Sequence, residues 1–309
     1  MPSPPPSAPL FLPLTGLYEP SAIQQLADGR FLVVEDEPEH PFSLVTLGAD
    51  GTVKSRPMGP GWLEGNDAFW KLDDLEGLTA DTQGYLYAVT SHSRDDAGDE
   101  KKSRDKLVRF RIEGDRVREP LIASGLKPAL VAAHPVLAAA ARIEDVKSDG
   151  GLNIEALEIT PDSQRLLVGF RSPLLDGAAI IASIANPSAI FEAGELPRLS
   201  GGLLTLDLGG QGIRGMAWIA ALGGYLIISG PASLSDQSFG LWFWDGQAPS
   251  PAHRVTVPGL PNFERAEGLS TALIDGVSYI VIVSDDGKRE KGRFAHFVLL
   301  EPGQLQISP

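Results

Sequence analysis

A short unit recurs five times along the chain, and a repeat of this length constrains the fold more than any single motif does. Each copy sets a charged residue beside small residues ahead of a short apolar run, then an Asp/Gly turn, then a run of β-forming residues. The charged positions are Glu19, Glu76, Glu155, Arg214 and Glu267. In the second copy Leu75-Glu76-Gly77-Leu78 leads into a turn at residues 81–84 and a strand at residues 85–90. The first copy reads Glu19-Pro20-Ser21-Ala22-Ile23 before its turn at Asp28-Gly29, and the fourth carries Arg214 where the others carry an acid.

Further β-forming runs follow each pair, at residues 42–47 and 53–55, 107–112 and 117–122, 179–184 and 203–208, 240–244 and 254–257, and 295–300 with a weaker 304–307. Four strands per copy is the pattern of a propeller blade. The expected fold is therefore all-β, a closed β-propeller with five blades, and a six-bladed ring is the structural alternative. Residues 11–14 are expected to complete the last sheet, covering an edge that would otherwise stay open. The C-terminal run at residues 304–307 is the other candidate.

Thirty-four glycines and 25 prolines suit many short strands and sharp turns. Residues 1–9 read as an irregular tail and residues 10–309 as one propeller domain, with an insertion near residues 126–146 whose alanine-rich part after Pro135 favours a short helix. The formal charge of −14 argues against nucleic acid as a partner, since phosphate contacts need a concentrated basic surface. No apolar run reaches the roughly 20 residues needed to cross a bilayer, so no membrane partner is expected. The lack of a basic leader favours the cytoplasm, with leaderless export as the alternative. There is no cysteine, which excludes disulfides, a thiolate nucleophile and Cys-ligated metals.

The run Gly151-Leu152-Asn153-Ile154-Glu155-Ala156-Leu157, then Leu167-Val168-Gly169-Phe170-Arg171-Ser172-Pro173, resembles the DUF3616 family of uncharacterised bacterial proteins. Leu206-Asp207-Leu208-Gly209-Gly210-Gln211-Gly212-Ile213-Arg214 continues that resemblance, which spans roughly residues 18 to 300. The family is in turn similar to propeller groups that include phytase-like esterases and sugar-lactone hydrolases. That resemblance implies a propeller and leaves the reaction open.

In a propeller the residues before each first strand and after each second strand share one face of the ring. Glu19, Glu76, Glu155, Arg214 and Glu267 are thus expected at one channel mouth, with Asp36, His92, Arg171 and Asp285 in neighbouring loops. Converging carboxylates need compensation by a cation, an arginine or bound protons. Oxygen donors favour Ca²⁺ or Mg²⁺, with Glu19, Glu76, Glu155 and Glu267 as ligands. Glu155 and His92 are the candidate catalytic groups, and Arg171 and Arg214 the candidate clamps for an anionic substrate. Each glutamate could instead anchor one blade to the next through backbone N–H groups. The loop at residues 95–105 reads as a solvated, charge-rich excursion. No P-loop, Rossmann fingerprint or Gly-x-Ser-x-Gly elbow is present, so no organic cofactor is inferred.

Two functions fit these residues. One is a divalent-cation-dependent hydrolase of an anionic ester or phosphoester. The other is a non-catalytic propeller that binds a small ligand or a protein partner.

Overall fold

The computed structural model describes residues 9–60, 67–234, 238–263 and 265–309. The tail expected over residues 1–9 falls, but for Pro9, outside them. The described strands form five antiparallel sheets. Blade 1 is built from Pro20–Gln25, Phe31–Glu35, Phe42–Leu47 and Val53–Met58, and blade 2 from Leu75–Ala80, Leu86–Thr90, Leu107–Glu113 and Arg116–Ala123. Blade 3 comprises Asn153–Ile159, Leu166–Ser172, Ala179–Ile184 and Leu204–Leu206; blade 4 begins with Gly212–Ile219, Gly224–Gly230, Gly240–Trp244 and His253–Thr256. Blade 5 takes Ala266–Ile274, Val277–Ser284 and His296–Leu300 from the C-terminal part of the chain.

The fourth strand of blade 5 is Leu12–Pro13, whose residues pair with Phe297 and His296. The C-terminal run lies elsewhere than in the last copy. Gln306–Ile307 adds a fifth strand to blade 4, opposite Thr256 and Val255. Proline tolerates the outer position because an edge strand does not need every N–H.

Turn chemistry sets the hairpins between first and second strands. In blade 5 the two-residue loop Asp275-Gly276 has φ of 52° and 80°, the left-handed pair that matches strand twist. In blade 2 Asp81 Oδ1 accepts from the backbone N–H groups of Gln83 and Tyr85, each at 2.9 Å.

The core lies between blades rather than at the ring centre. Between blades 3 and 4, Leu167, Ile181, Ile213, Met216, Ile227 and Trp244 pack together. Between blades 5 and 1, Ile23, Val33, Val45, Ile274, Val283 and Phe297 do the same. A blade's first strand is thus covered on both faces, and all seven residues of Asn153–Ile159 are buried.

First strands crowd toward the axis, which explains the small residues Ala22, Gly77, Ala156, Gly215 and Gly268. A Cβ on Gly215 would sit 1.9 Å from the carbonyl oxygen of Glu267, and one on Gly77 2.8 Å from the Leu157 nitrogen. Gly215→Ala must therefore push two inner strands apart. We expect it to cost about 2–3 kcal/mol of stability, read as a lowered melting temperature; an unchanged melt would mean the strands are not so closely set.

The expected insertion contains two helices, Leu126–Ala133 and Pro135–Ala140, followed by Val146–Asp149. His134 Nδ1 accepts from the Val136 N–H at 3.2 Å, capping the second helix. Leu126, Leu130, Leu137 and Ala140 bury their apolar side against blades 2 and 3. No helix among the described residues is long and apolar enough to cross a membrane.

Candidate functional site

Every first strand carries a β-bulge in its pairing with the second. A register shift falls between Pro20 and Ala22, Leu75 and Gly77, Ile154 and Ala156, Ile213 and Gly215, and Ala266 and Gly268. The residues passed over are Ser21, Glu76, Glu155, Arg214 and Glu267. A bulged residue opposes no partner and its side chain is re-aimed. All five are buried and all five line one cavity of ≈ 360 Å³ at the channel mouth.

Glu19, expected as the first member of this ring, is not in the cavity lining; Ser21 stands in its place. The bulge is set by the small-aliphatic pair that follows it, so Ala22-Ile23 aligns with Gly77-Leu78 and the acid two residues earlier falls short. That pair was the signal in the sequence. Alignment on the acid misses it.

Glu155 is the hub of a buried ionic network. Arg214, 10% exposed, lies between two carboxylates: its Nε is 2.7 Å from Glu155 Oε2, and its Nη2 contacts Glu267 Oε1. Arg171 Nη1 is 3.2 Å from Glu155 Oε1, and its Nε donates to the Pro231 carbonyl at 3.0 Å. Asn153 Nδ2 donates to the same Glu155 oxygen at 2.9 Å. Burial pulls the Arg214 pKa below its ordinary value, and the Glu155 carboxylate opposes that fall. Both arginines expected to clamp a substrate are thus held by glutamates.

Glu76 differs from its ring neighbours. Its side chain accepts no hydrogen bond and makes no ion pair among the described residues, although it is only 8% exposed. Burial drives its pKa well above the ordinary value, and the nearby charges of Glu155, Asp74 and Asp36 push the same way. Asp36 reaches the water of the mouth but is walled round by protein. That enclosure, with Asp74 beside it, pushes its pKa up to about 8. Asp285 is raised by burial as well, with Arg214 and Arg265 opposing.

Asp74, which sequence reasoning missed, accepts from Ser91 and Ser93 Oγ and lies 3.1 Å from Arg104 Nη1. The charge-rich loop after Arg94 folds inward enough for Asp95 and Asp96 to line the rim, so it is not merely a solvated excursion. The insertion adds residues 144–148 to the same rim.

His92 does not reach the cavity. It is 1% exposed, its Nδ1 lies 2.8 Å from the Thr90 carbonyl oxygen, and its Nε2 lies 3.1 Å from Asp105. A left-handed backbone, φ 57°, turns it into the blade. Nor do Glu19, Glu76, Glu155 and Glu267 form a cation cage. Among the described residues no group of three or more His, Asp or Glu side chains could hold a metal ion. The physical reason is that Arg214 takes up oxygens of both Glu155 and Glu267.

At the far end of the channel a second, smaller cavity of ≈ 170 Å³ is lined in part by Glu158. Glu158 ties three blades: its oxygens accept from Thr79 Oγ1 at 2.9 Å and from the Trp218 N–H at 3.0 Å. Burial pushes its pKa up to about 8, against those two hydrogen bonds.

Strand pairing and the polar mouth together define a five-bladed β-propeller whose channel mouth holds a side-chain-lined cavity. The chain belongs to the DUF3616 family, described as proteins of unknown function, whose model matches residues 134–299, more than half of its length. No curated protein matches it. Among solved structures it is similar to an oxidoreductase assigned as a glucose dehydrogenase from Thermus thermophilus, at 17% identity and TM-score 0.49, over 94% of this chain and 100% of that one. It is also similar to the PQQ-bound aldose sugar dehydrogenase of Streptomyces coelicolor, at 15% identity and TM-score 0.44, over 98% and 100%. TolB from Acinetobacter baumannii matches at 14% identity and TM-score 0.40, over 94% of this chain and 56% of that one. These are sugar-dehydrogenase and TolB structures rather than phytase-like esterases or lactonases.

Proposed function

We propose that the chain binds a small polar molecule in its central cavity. The observation that carries this reading is the wall itself: Glu155 holds Arg171, Arg214 and Asn153 in one buried network around a space of ≈ 360 Å³. A wall fixed before the ligand arrives does not have to order its side chains on binding. A thermal-shift screen of the whole chain against neutral, anionic and cationic metabolites tests it. Asp36→Trp places a large side chain at the exposed mouth. It should leave the unliganded melt within about 2 °C and abolish the ligand-induced shift; a shift that survives it would put binding elsewhere.

Hydrolysis is the second reading, and Glu76 favours it. A buried carboxyl held toward its neutral form among other carboxyls, at the wall of a cavity, is the arrangement of a general acid. It would give its proton to the leaving oxygen as water adds to an ester. In the version with Ca²⁺ or Mg²⁺ and a small anionic ester, Glu155 and Glu267 would have to leave their arginines, so the binding reading stands first. Release of the alcohol from alkyl ester and alkyl phosphoester probes, whose leaving oxygen needs a proton, should fall about 10²–10⁴-fold in Glu76→Gln, with and without EDTA, if Glu76 is the acid. Equal turnover would remove it from the chemistry.

A further inference from the structure

We propose that the ligand of the central cavity is an organic cation, an alkylammonium or diammonium compound, whose nitrogen is held by the Glu76 carboxyl and Asn153 Oδ1. This rests on the reading of the cavity as a binding site and names the class of molecule it takes.

Two buried acceptors in the wall have neither a hydrogen-bond donor nor an ion pair among the described residues; Glu155 Oε2, though poorly aligned for a hydrogen bond, is charge-paired with Arg214 Nε at 2.7 Å. Glu76, 8% exposed, has neither a hydrogen bond nor an ion pair among the described residues. Asn153, 7% exposed, leaves its Oδ1 buried without a partner. The amide cannot turn round to cure this. Its Nδ2 donates to the Glu155 carboxylate at 2.9 Å, and a flipped amide would set oxygen against oxygen there. A buried acceptor left unpaired costs about 1–3 kcal/mol, more when it is charged. Both groups call for the same thing, a donor. An ammonium supplies three N–H donors and no acceptor, and a cation seated beside Glu76 favours the ionised carboxylate over the neutral form that burial favours in the empty cavity, so it suits that carboxylate and one amide oxygen.

The charges around the cavity point to the same class. Among the described lining residues ten carboxylates face five cationic side chains. Each of those five is already ion-paired: Arg94 with Glu100, Arg104 with Asp73 and Asp74, Lys147 with Asp96, and Arg171 and Arg214 with Glu155. An anionic ligand would find no unengaged cation and an excess of like charge. A cationic ligand finds Glu76 free, and Asp36 and Asp285 without an ion pair beside it. The space is far larger than a bare metal ion needs, and no metal-holding group of side chains exists among the described residues. An organic body carrying the charge fills it.

Calorimetric titration of the whole chain at pH 7 with 1,4-diaminobutane, propylammonium, glucose, glycerol phosphate and Ca²⁺ tests the proposal. The ammonium probes should bind and the anionic probe should not. Glu76→Gln should weaken the ammonium probes at least tenfold and Asn153→Ala severalfold. Both variants should melt within a few degrees of the parent, because neither acceptor that changes has a partner to lose except the Asn153 contact with Glu155. Ammonium affinity unchanged in Glu76→Gln overturns the proposal. Binding of glucose, glycerol phosphate or Ca²⁺ with none of the ammonium probes overturns the ligand class and leaves the cavity as a binding site. Binding of no probe at all overturns both.

Discussion

Arg214→Met is expected to lower the unfolding free energy at pH 7 by about 3–5 kcal/mol, the usual loss when one partner of a buried ion pair is removed. Methionine replaces much of the side chain's volume but leaves two carboxylates, Glu155 at 3% and Glu267 at 7% side-chain exposure, without their shared cation. The damage comes from those stranded charges rather than from a cavity. Arg214→Met combined with Glu155→Gln and Glu267→Gln should therefore recover most of the loss, since neutral amides do not repel one another. Urea unfolding of the parent, the single variant and the triple variant checks both statements. A loss under about 1 kcal/mol in the single variant would mean the guanidinium is solvated and the network is not closed.

Glu158→Gln is expected to stabilise the protein, and only at higher pH. The carboxyl's folded-state pKa of about 8 lies above its ordinary value of 4.5. Between those values the folded chain keeps a proton that the unfolded chain releases, so stability is fully present below about pH 4.5 and falls as pH rises through about 8. At about 1.4 kcal/mol per pH unit the difference between parent and variant should grow to the order of 5 kcal/mol by pH 9 and vanish near pH 4.5. Glutamine can keep both contacts, its oxygen accepting from the Trp218 N–H and its amide donating to Thr79 Oγ1. Glu76, Asp36 and Asp285 are raised too, so only the difference between parent and variant isolates Glu158. A constant difference across pH 5–9 would place the Glu158 carboxyl in water.

The blades were legible because turn residues and β-forming runs act locally. Asp81 and Gly84, or Asp275 and Gly276, shape their turns whatever packs around them. The ring position was legible in four copies, where a charged residue directly precedes a small one. It was missed in the first, where Ser21 is an ordinary residue and Glu19 draws the eye. His92 was misplaced because a positive φ reverses a side chain, and single-residue backbone conformation leaves little trace in sequence. The pairing of Arg214 with both Glu155 and Glu267 joins blades 3, 4 and 5, and Arg171 and Asn153 meet the same Glu155. Contacts between blades depend on register and bulges together. A repeat pattern alone does not contain them.

A crystal structure of the whole chain with 1,4-diaminobutane at neutral pH tests the central claim most directly. An ammonium nitrogen within hydrogen-bond reach of both the Glu76 carboxyl and Asn153 Oδ1 is the predicted result, with Arg214 still between Glu155 and Glu267. A Glu76 side chain turned to join Arg171 or Arg214, with Asn153 Oδ1 satisfied by the protein and no ammonium nitrogen beside it, would contradict the account.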